Sequence, residues 1–193
     1  MSRSATRSVT QHAVLSLAAQ QGTYGYWLTQ WFAGWPMSGP LVPRERAIYS
    51  SLEALLDEGL IEPMDLMQGS TRTGRDRRGF VATEAGQRRV TEWMDSEPES
   101  LDELWVRIGT ARRQDIPALI RWVEKAQRAC LDRLETLGAP DLGQLISNDA
   151  HWRLITGAVV QSIEISKVEE QVRLLREIRR TLSQSVRDEP PSS

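Results

Sequence analysis

Long amphipathic patterns in the second half of the chain constrain its fold most strongly. Between residues 116 and 137, apolar residues recur at steps of three and four, which predicts one continuous helix that ends at Gly138. A second long helix is predicted from about residue 149 to residue 182, roughly 50 Å at 1.5 Å per residue. Because this helix extends beyond the core that a chain of 193 residues can supply, we predict that a second copy of the chain packs along it in a homodimer.

The first half carries shorter elements. Pro63 indicates an edge strand, and Thr83 can cap a short helix. The order helix, helix, helix, strand, loop, strand, helix is that of a winged helix-turn-helix. The predicted helices are 9–20, 24–33, 43–58 and 83–93, and the predicted strands are 60–67 and 78–82.

The predicted fold class is mostly α with a small two-stranded β-wing. A polar stretch with a proline, residues 95–100, separates an N-terminal winged helix-turn-helix at 1–95 from a C-terminal helical dimerisation and effector domain at 96–188. Residues 189–193 are expected to be a disordered tail. Ser100 and Glu103 have the spacing of a capping box, and the apolar residues of the helix that follows are Leu101, Leu104, Trp105 and Ile108.

Composition excludes several classes of function. With 24 basic and 26 acidic residues the net charge is −2, so a nucleic-acid surface must be a local patch. The single Cys130 and the distant His12 and His151 give no disulfide, metal-ligand spacing or catalytic triad. We therefore expect no enzyme activity, no cofactor and no metal. Without an apolar run of roughly 20 residues or a secretory signal, a cytoplasmic protein with no membrane partner is expected.

The predicted third helix can present side chains to DNA. Small and basic residues near its N-terminal end can enter a major groove and reach base edges. An ordinary surface helix also fits, because acidic residues follow further along. Its expected core stripe is Ile48, Leu52, Leu55 and Leu56, and its candidate DNA-binding residues are Arg44, Arg46, Tyr49 and Ser50.

The loop between the predicted strands favours nucleic acid. A basic loop alone is typical of a solvated surface. Beside a helix with a basic start, it is typical of a protein that binds the phosphate backbone and inserts one helix. We therefore predict that double-stranded DNA is the partner. The loop has a local charge of +3, because a single acidic residue, Asp76, accompanies four arginines: Arg72, Arg75, Arg77 and Arg78.

Three blocks of the first half have the spacing of a known set of motifs. Residues 22–26 are Gly-Thr-Tyr-Gly-Tyr, a Gly-x-x-Gly-Tyr pattern at the entry to the second helix. Residues 47–61 contain Ile-Tyr-x-x-Leu followed by Glu-Gly-Leu-Ile, and residues 74–86 contain a basic loop that ends in Thr-Glu-Ala-Gly. In this order the three blocks resemble the PadR family of winged-helix transcriptional regulators.

The resemblance implies a function. It implies a transcriptional regulator, more closely a dimeric repressor that binds a palindromic operator and is released by a small aromatic or lipophilic effector. It also adds Tyr24 and Tyr26 to the candidate DNA-binding residues. The sequence departs from the family pattern in a longer loop, residues 34–42, and at Trp27, Arg44 and Asp76.

Tryptophans give a candidate effector site. The chain has seven, and planar ligands stack between tryptophans in some members of the family that the chain resembles. By position, Trp93 at the predicted domain join and Trp105 on the next helix are the expected effector-binding residues. Core packing, the usual role of buried aromatic side chains, is the alternative.

A protein-binding function also fits the sequence. Residues 1–95 contain 10 basic and 10 acidic residues, so this half has no net charge. The distal end of the third helix is acidic. A winged-helix adaptor that binds another protein, without specific DNA binding, is therefore the alternative to a transcriptional regulator.

Overall fold

Helices make up most of the structure, a computed structural model that describes residues 3–35, 43–64, 79–138 and 152–187. The chain divides into two compact units, residues 1–119 and 120–193. The first unit contains the whole winged helix-turn-helix and continues past residue 95. The division of roles between residues 1–95 and 96–188 stays a prediction.

The order of elements confirms the predicted fold class. The helices are α1 (Arg3–Gln20), α2 (Gly25–Ala33), α3 (Glu45–Asp57), α4 (Glu84–Asp95), α5 (Leu101–Thr110), α6 (Ile116–Leu137) and α7 (Trp152–Arg187), and the strands are β1 (Thr23–Tyr24), β2 (Ile61–Met64) and β3 (Gly79–Ala82). A short 3₁₀ turn, Arg113–Asp115, precedes α6.

The sheet has one strand more than the sequence predicted. The three strands are antiparallel in the order β1-β3-β2, so β2 with Pro63 lies at an edge, as proline in a strand indicates. The additional strand, β1, pairs Thr23 with Phe80 and Tyr24 with Gly79. Two residues are too few to show a period of two, so the sequence pattern could not reveal β1.

Apolar residues at helical spacing form the core of the first unit. The prediction for Leu56 is wrong: it is 39% exposed, because it lies about 100° around the helix from Leu55. Ser51 is buried in this stripe, and its hydroxyl donates to the Ala47 carbonyl at 2.8 Å. The predicted core residues that are buried are Val14, Leu17 and Ala18 in α1 and Ile48, Leu52 and Leu55 in α3.

Aromatic side chains pack around the end of α2. Phe32 is buried, and the ring of Trp35 stacks on it with centroids 5.7 Å apart. Trp35 also packs on bare backbone of α5, where a β-carbon at Gly109 would lie 2.1 Å from the ring. Trp27 and Trp31, predicted on one side of α2, are half-buried.

Two predicted helix caps are present. The Thr83 hydroxyl accepts from the Gly86 amide at 3.1 Å and donates to the Gly59 carbonyl at 2.8 Å, so it joins the start of α4 to the end of α3. The Ser100 hydroxyl accepts from the Glu103 amide at 3.1 Å. The reciprocal bond of a capping box is displaced by one residue, because the Glu103 carboxylate accepts from Glu99.

The second unit contains most of α6 and all of α7. Arg133 pairs with Glu164, and the Cys130 thiol lies 3.9 Å from the Gln171 side-chain oxygen. The 36 residues of α7 span roughly 54 Å, which confirms the long helix that the sequence predicted. The predicted tail at 189–193 lies outside the described residues. Among the described helices, none is long and apolar enough to cross a membrane.

Candidate nucleic-acid interface

The N-terminal end of α3 presents basic side chains to solvent. Arg44, which precedes the helix, and Arg46 in its first turn are both exposed. Tyr49 and Ser50 are half-buried on the flank of the same helix, and the Ser50 hydroxyl donates to the Ala47 carbonyl at 3.1 Å. The structure therefore brings together the four candidate residues of this helix at one end.

Acidic residues lie toward the other end of α3. Glu53 and Asp57 are exposed. The Glu58 carboxylate, just past the helix, accepts from the Gln11 side-chain amide at 2.9 Å, so it is directed toward α1. The charge along α3 thus changes from basic at the first turn to acidic beyond it.

The start of α2 lies against α3. The Tyr49 ring packs on the backbone of Gly25, the first residue of α2. Tyr24 and Tyr26 flank this glycine in the chain, and Tyr26 is 57% exposed. The Tyr24 side chain makes no capping hydrogen bond to the first turn of α2. Helix N-termini attract phosphate groups, because their amide groups and dipole face outward.

The sheet places the end of β2 and the start of β3 beside the start of α2. Tyr24 pairs with Gly79 in β3, and Gly79 also pairs with Met64, the last residue of β2. The end of β2 and the start of β3 therefore lie next to the residue that precedes α2. This arrangement depends on β1, which the sequence pattern did not predict, although its residues lie within the Gly-x-x-Gly-Tyr block. The predicted wing residues Arg72, Arg75, Arg77 and Arg78 lie outside the described residues.

The predicted effector residue Trp93 lies in a buried polar network. Its indole nitrogen donates to the Glu103 carboxylate at 2.9 Å, its ring stacks on His12 with centroids 5.1 Å apart, and the Arg107 guanidinium lies over it at 4.9 Å. Burial alone would raise the pKa of Glu103, but hydrogen bonds from Arg107, the Glu99 amide and Trp93 lower it below its ordinary value.

This network was not foreseen from the sequence, and it gives Trp93 a packing role. Burial also lowers the pKa of His12. Trp105, the other predicted effector residue, is half-buried on α5. An effector site at these two tryptophans stays a prediction.

These elements define a class of protein. Helices α1 to α3, a three-stranded antiparallel sheet and an exposed basic first turn on α3 constitute a winged helix-turn-helix, the fold of many DNA-binding regulators. More closely, residues 14–92 match the model described as "Transcriptional regulator PadR-like family", so this part of the chain is similar to that family.

Three of the solved structures that are similar to the chain come from Bacillus species. Bacillus subtilis PadR in complex with operator DNA is 19% identical, with 94% of this chain and 99% of that chain covered and a TM-score of 0.38. The same protein in complex with p-coumaric acid is 18% identical, with 92% and 97% covered and a TM-score of 0.40. A PadR-like transcriptional regulator from Bacillus cereus is 16% identical, with 91% and 99% covered and a TM-score of 0.37. The comparison with curated proteins gives no match.

Proposed function

We propose that the chain is a sequence-specific repressor that binds a palindromic operator as a homodimer, with one α3 in the major groove at each half-site. The observation that carries this proposal is the exposed Arg46 in the first turn of α3, on a helix whose neighbour α2 begins beside the end of β2 and the start of β3. A helix-turn-helix contacts base edges with the N-terminal residues of its recognition helix.

The proposed contacts fall into two kinds. Arg46 would donate to acceptors on base edges, since the planar guanidinium matches guanine in two hydrogen bonds. The wing arginines would contact phosphates, which position the protein without reading sequence. The proposed surface around the start of α2 and α3 is completed by Tyr24, Tyr26, Arg44, Tyr49 and Ser50.

Replacing Arg46 by alanine is expected to weaken operator binding by about 5- to 150-fold, which corresponds to about 1–3 kcal/mol, and to reduce the preference over random DNA. Gel-shift titration measures both, with a fragment from upstream of the chain's own coding sequence and a random fragment of equal length. Arg75→Ala is expected to weaken binding to both fragments about equally. Arg88→Ala, which removes one exposed charge from α4, is the control.

Two outcomes would contradict parts of this proposal. Equal losses on both fragments for Arg46→Ala would exclude Arg46 as a reader of bases. Equal binding of the unmodified protein to both fragments would favour the adaptor function, which the exposed Glu53 and Asp57 support. Specific binding should also weaken steeply with salt, because phosphate contacts release counterions.

The homodimer part of the proposal is supported by an apolar face of α7. Val159 and Ile163 are each 50% exposed, and Leu174 is 46% exposed. Their spacings of 4 and 11 residues put them on one side of the helix. The buried side chains Val168 and Val172 lie on the other side. A second copy of α7, which carries the same face, is the proposed partner.

Replacing Ile163 by glutamate is expected to shift the protein from dimer toward monomer, because it places a charge in the proposed contact between apolar faces. Sedimentation velocity over a range of protein concentrations measures this shift. Ala129→Glu, at an exposed position of α6, introduces the same charge as a control. A monomer in the unmodified protein, or a dimer unaffected by Ile163→Glu, would contradict this assignment.

Release by a small effector is the last part of the proposal. A ligand shifts the protein away from DNA only if it binds the arrangement that cannot bind DNA more tightly than the one that can. A planar apolar ligand is the proposed class, because tryptophan rings offer it flat faces. Trp105 is the more accessible of the two proposed residues, since Trp93 is already in contact with His12 and Arg107.

A further inference from the structure

Gly25 has no side chain at a position where a side chain would displace Tyr49. A β-carbon built on Gly25 would lie 2.5 Å from Cε1 of Tyr49, 3.0 Å from Cζ and 3.2 Å from the hydroxyl oxygen. The backbone does not require glycine here, because the positive φ angles among the described glycines are confined to Gly59 and Gly138. The requirement at residue 25 is therefore space for the tyrosine ring.

We propose that Gly25 is a positioning residue for DNA recognition, which acts by seating the Tyr49 ring against the start of α2. This inference rests on the proposed function, because it concerns how α3 reaches the operator. Tyr49 lies between the buried Ile48 and the half-buried Ser50, so its ring determines how closely this flank of α3 approaches α2. Arg46 lies one turn earlier on the same helix, so a shift of this flank of α3 would move Arg46 with it.

The size of the displacement explains why a single methyl group matters. Ordinary van der Waals contact begins at 3.4 Å, so the ring must move by roughly 1 Å to admit the β-carbon of alanine. The ring can turn outward, toward the proposed DNA surface, or push α3 away from α2. Either movement misplaces groups that must meet base edges within hydrogen-bonding distance.

The test is a gel-shift titration that measures the affinity of the full-length Gly25→Ala variant for the upstream fragment and for the random fragment. We expect binding to the upstream fragment to weaken by about 10-fold and binding to the random fragment to change less than about 2-fold, because phosphate contacts depend less on the direction of α3. Gly34→Ala, at the other end of α2, is the matched control. Its β-carbon would meet the nearest atom at 3.5 Å, so unchanged binding is expected.

A double-mutant cycle separates this role from a merely structural one. If Gly25 acts through Tyr49, Gly25→Ala should cost nothing further in a Tyr49→Ala background, because the methyl group then occupies the space that the ring has left. Thermal unfolding of each variant verifies folding. If Gly25→Ala fails to fold and the double variant folds, the steric relation is supported, and if neither folds, the proposal is overturned.

The failure of this proposal differs from the failure of the proposed function. If the unmodified protein prefers the upstream fragment and Gly25→Ala binds it equally well, the positioning role is wrong and the regulator function stands. If the loss persists in the Tyr49→Ala background, Gly25 does not act through Tyr49. If the unmodified protein does not distinguish the two fragments, the proposed function fails, and the positioning role fails with it.

Discussion

Replacing Arg107 by alanine is expected to lower the free energy of unfolding by about 3–5 kcal/mol, because it leaves the carboxylate of Glu103 buried without its partner. Both side chains are almost fully removed from solvent, at 1% exposed for Arg107 and 5% for Glu103. The guanidinium donates to one carboxylate oxygen from Nη2 at 2.6 Å and from Nε at 3.2 Å.

Other groups also lose a partner in this variant. Arg107 donates to the carbonyl oxygen and the hydroxyl of Ser96, at the end of α4. It also lies over the ring of Trp93. The substitution therefore removes two hydrogen bonds between α5 and the end of α4 as well as the ion pair.

Urea unfolding followed by circular dichroism measures the effect. Arg88→Ala is the matched control, because Arg88 pairs with Glu84 at the same spacing of four residues, with side chains that are 63% and 88% exposed. Exposed pairs of this kind contribute only about 0.3–0.5 kcal/mol. If the urea midpoint fell by the same amount in both variants, burial of the Arg107 pair would add nothing to the stability of the fold.

The same pair illustrates what sequence patterns cannot foresee. On α5 the apolar residues singled out in the sequence are Leu101, Leu104, Trp105 and Ile108, but only Leu104 of these is fully buried. Glu103 and Arg107 are buried instead, since each satisfies the other. The remaining partners, Trp93 and Ser96, come from the preceding helix and its end, and a periodic pattern within one helix carries no information about them.

Buried residues were predicted correctly where the periodicity of a single helix determines which side chains are buried. In α3 the residues Ile48, Leu52 and Leu55 repeat at the period of a helix and are buried. The pattern therefore also gave the orientation of the helix, and with it the exposure of Arg44 and Arg46. The pattern wrongly included Leu56 in the buried stripe. Leu55 and Leu56 are adjacent and both apolar, and helical spacing alone does not determine which of them is buried.

The candidate site was predictable as a set of residues but not as an arrangement. Tyr24 was selected from the Gly-x-x-Gly-Tyr motif, and Arg46 and Tyr49 were selected from the N-terminal end of the predicted third helix. That these residues converge depends on the pairing of Tyr24 with Gly79 and on the contact of Tyr49 with Gly25. Both contacts join segments that are distant in the chain, so only the folded structure could reveal them.

Gly86→Ala is the second substitution expected to have a large effect, because backbone rather than a movable side chain occupies the space for a β-carbon. That atom would lie 2.1 Å from the carbonyl oxygen of Leu60 and 3.2 Å from Cδ1 of Leu15. The Leu60 carbonyl is held in place, since it accepts from the Thr83 amide at 3.0 Å. The start of α4 must therefore move away from the residue that precedes β2.

The expected cost is at or above the upper end of the roughly 1–3 kcal/mol typical of overpacked sites, and it should appear as a lower melting temperature. Calorimetry or a thermal circular dichroism scan measures it. Gly157→Ala is the matched control, because a β-carbon there meets no atom of the described residues within 4 Å, and alanine is favoured over glycine in a helix by about 1 kcal/mol. If Gly86→Ala melts at the temperature of the unmodified protein, the close approach of α4 to Leu60 does not constrain the fold.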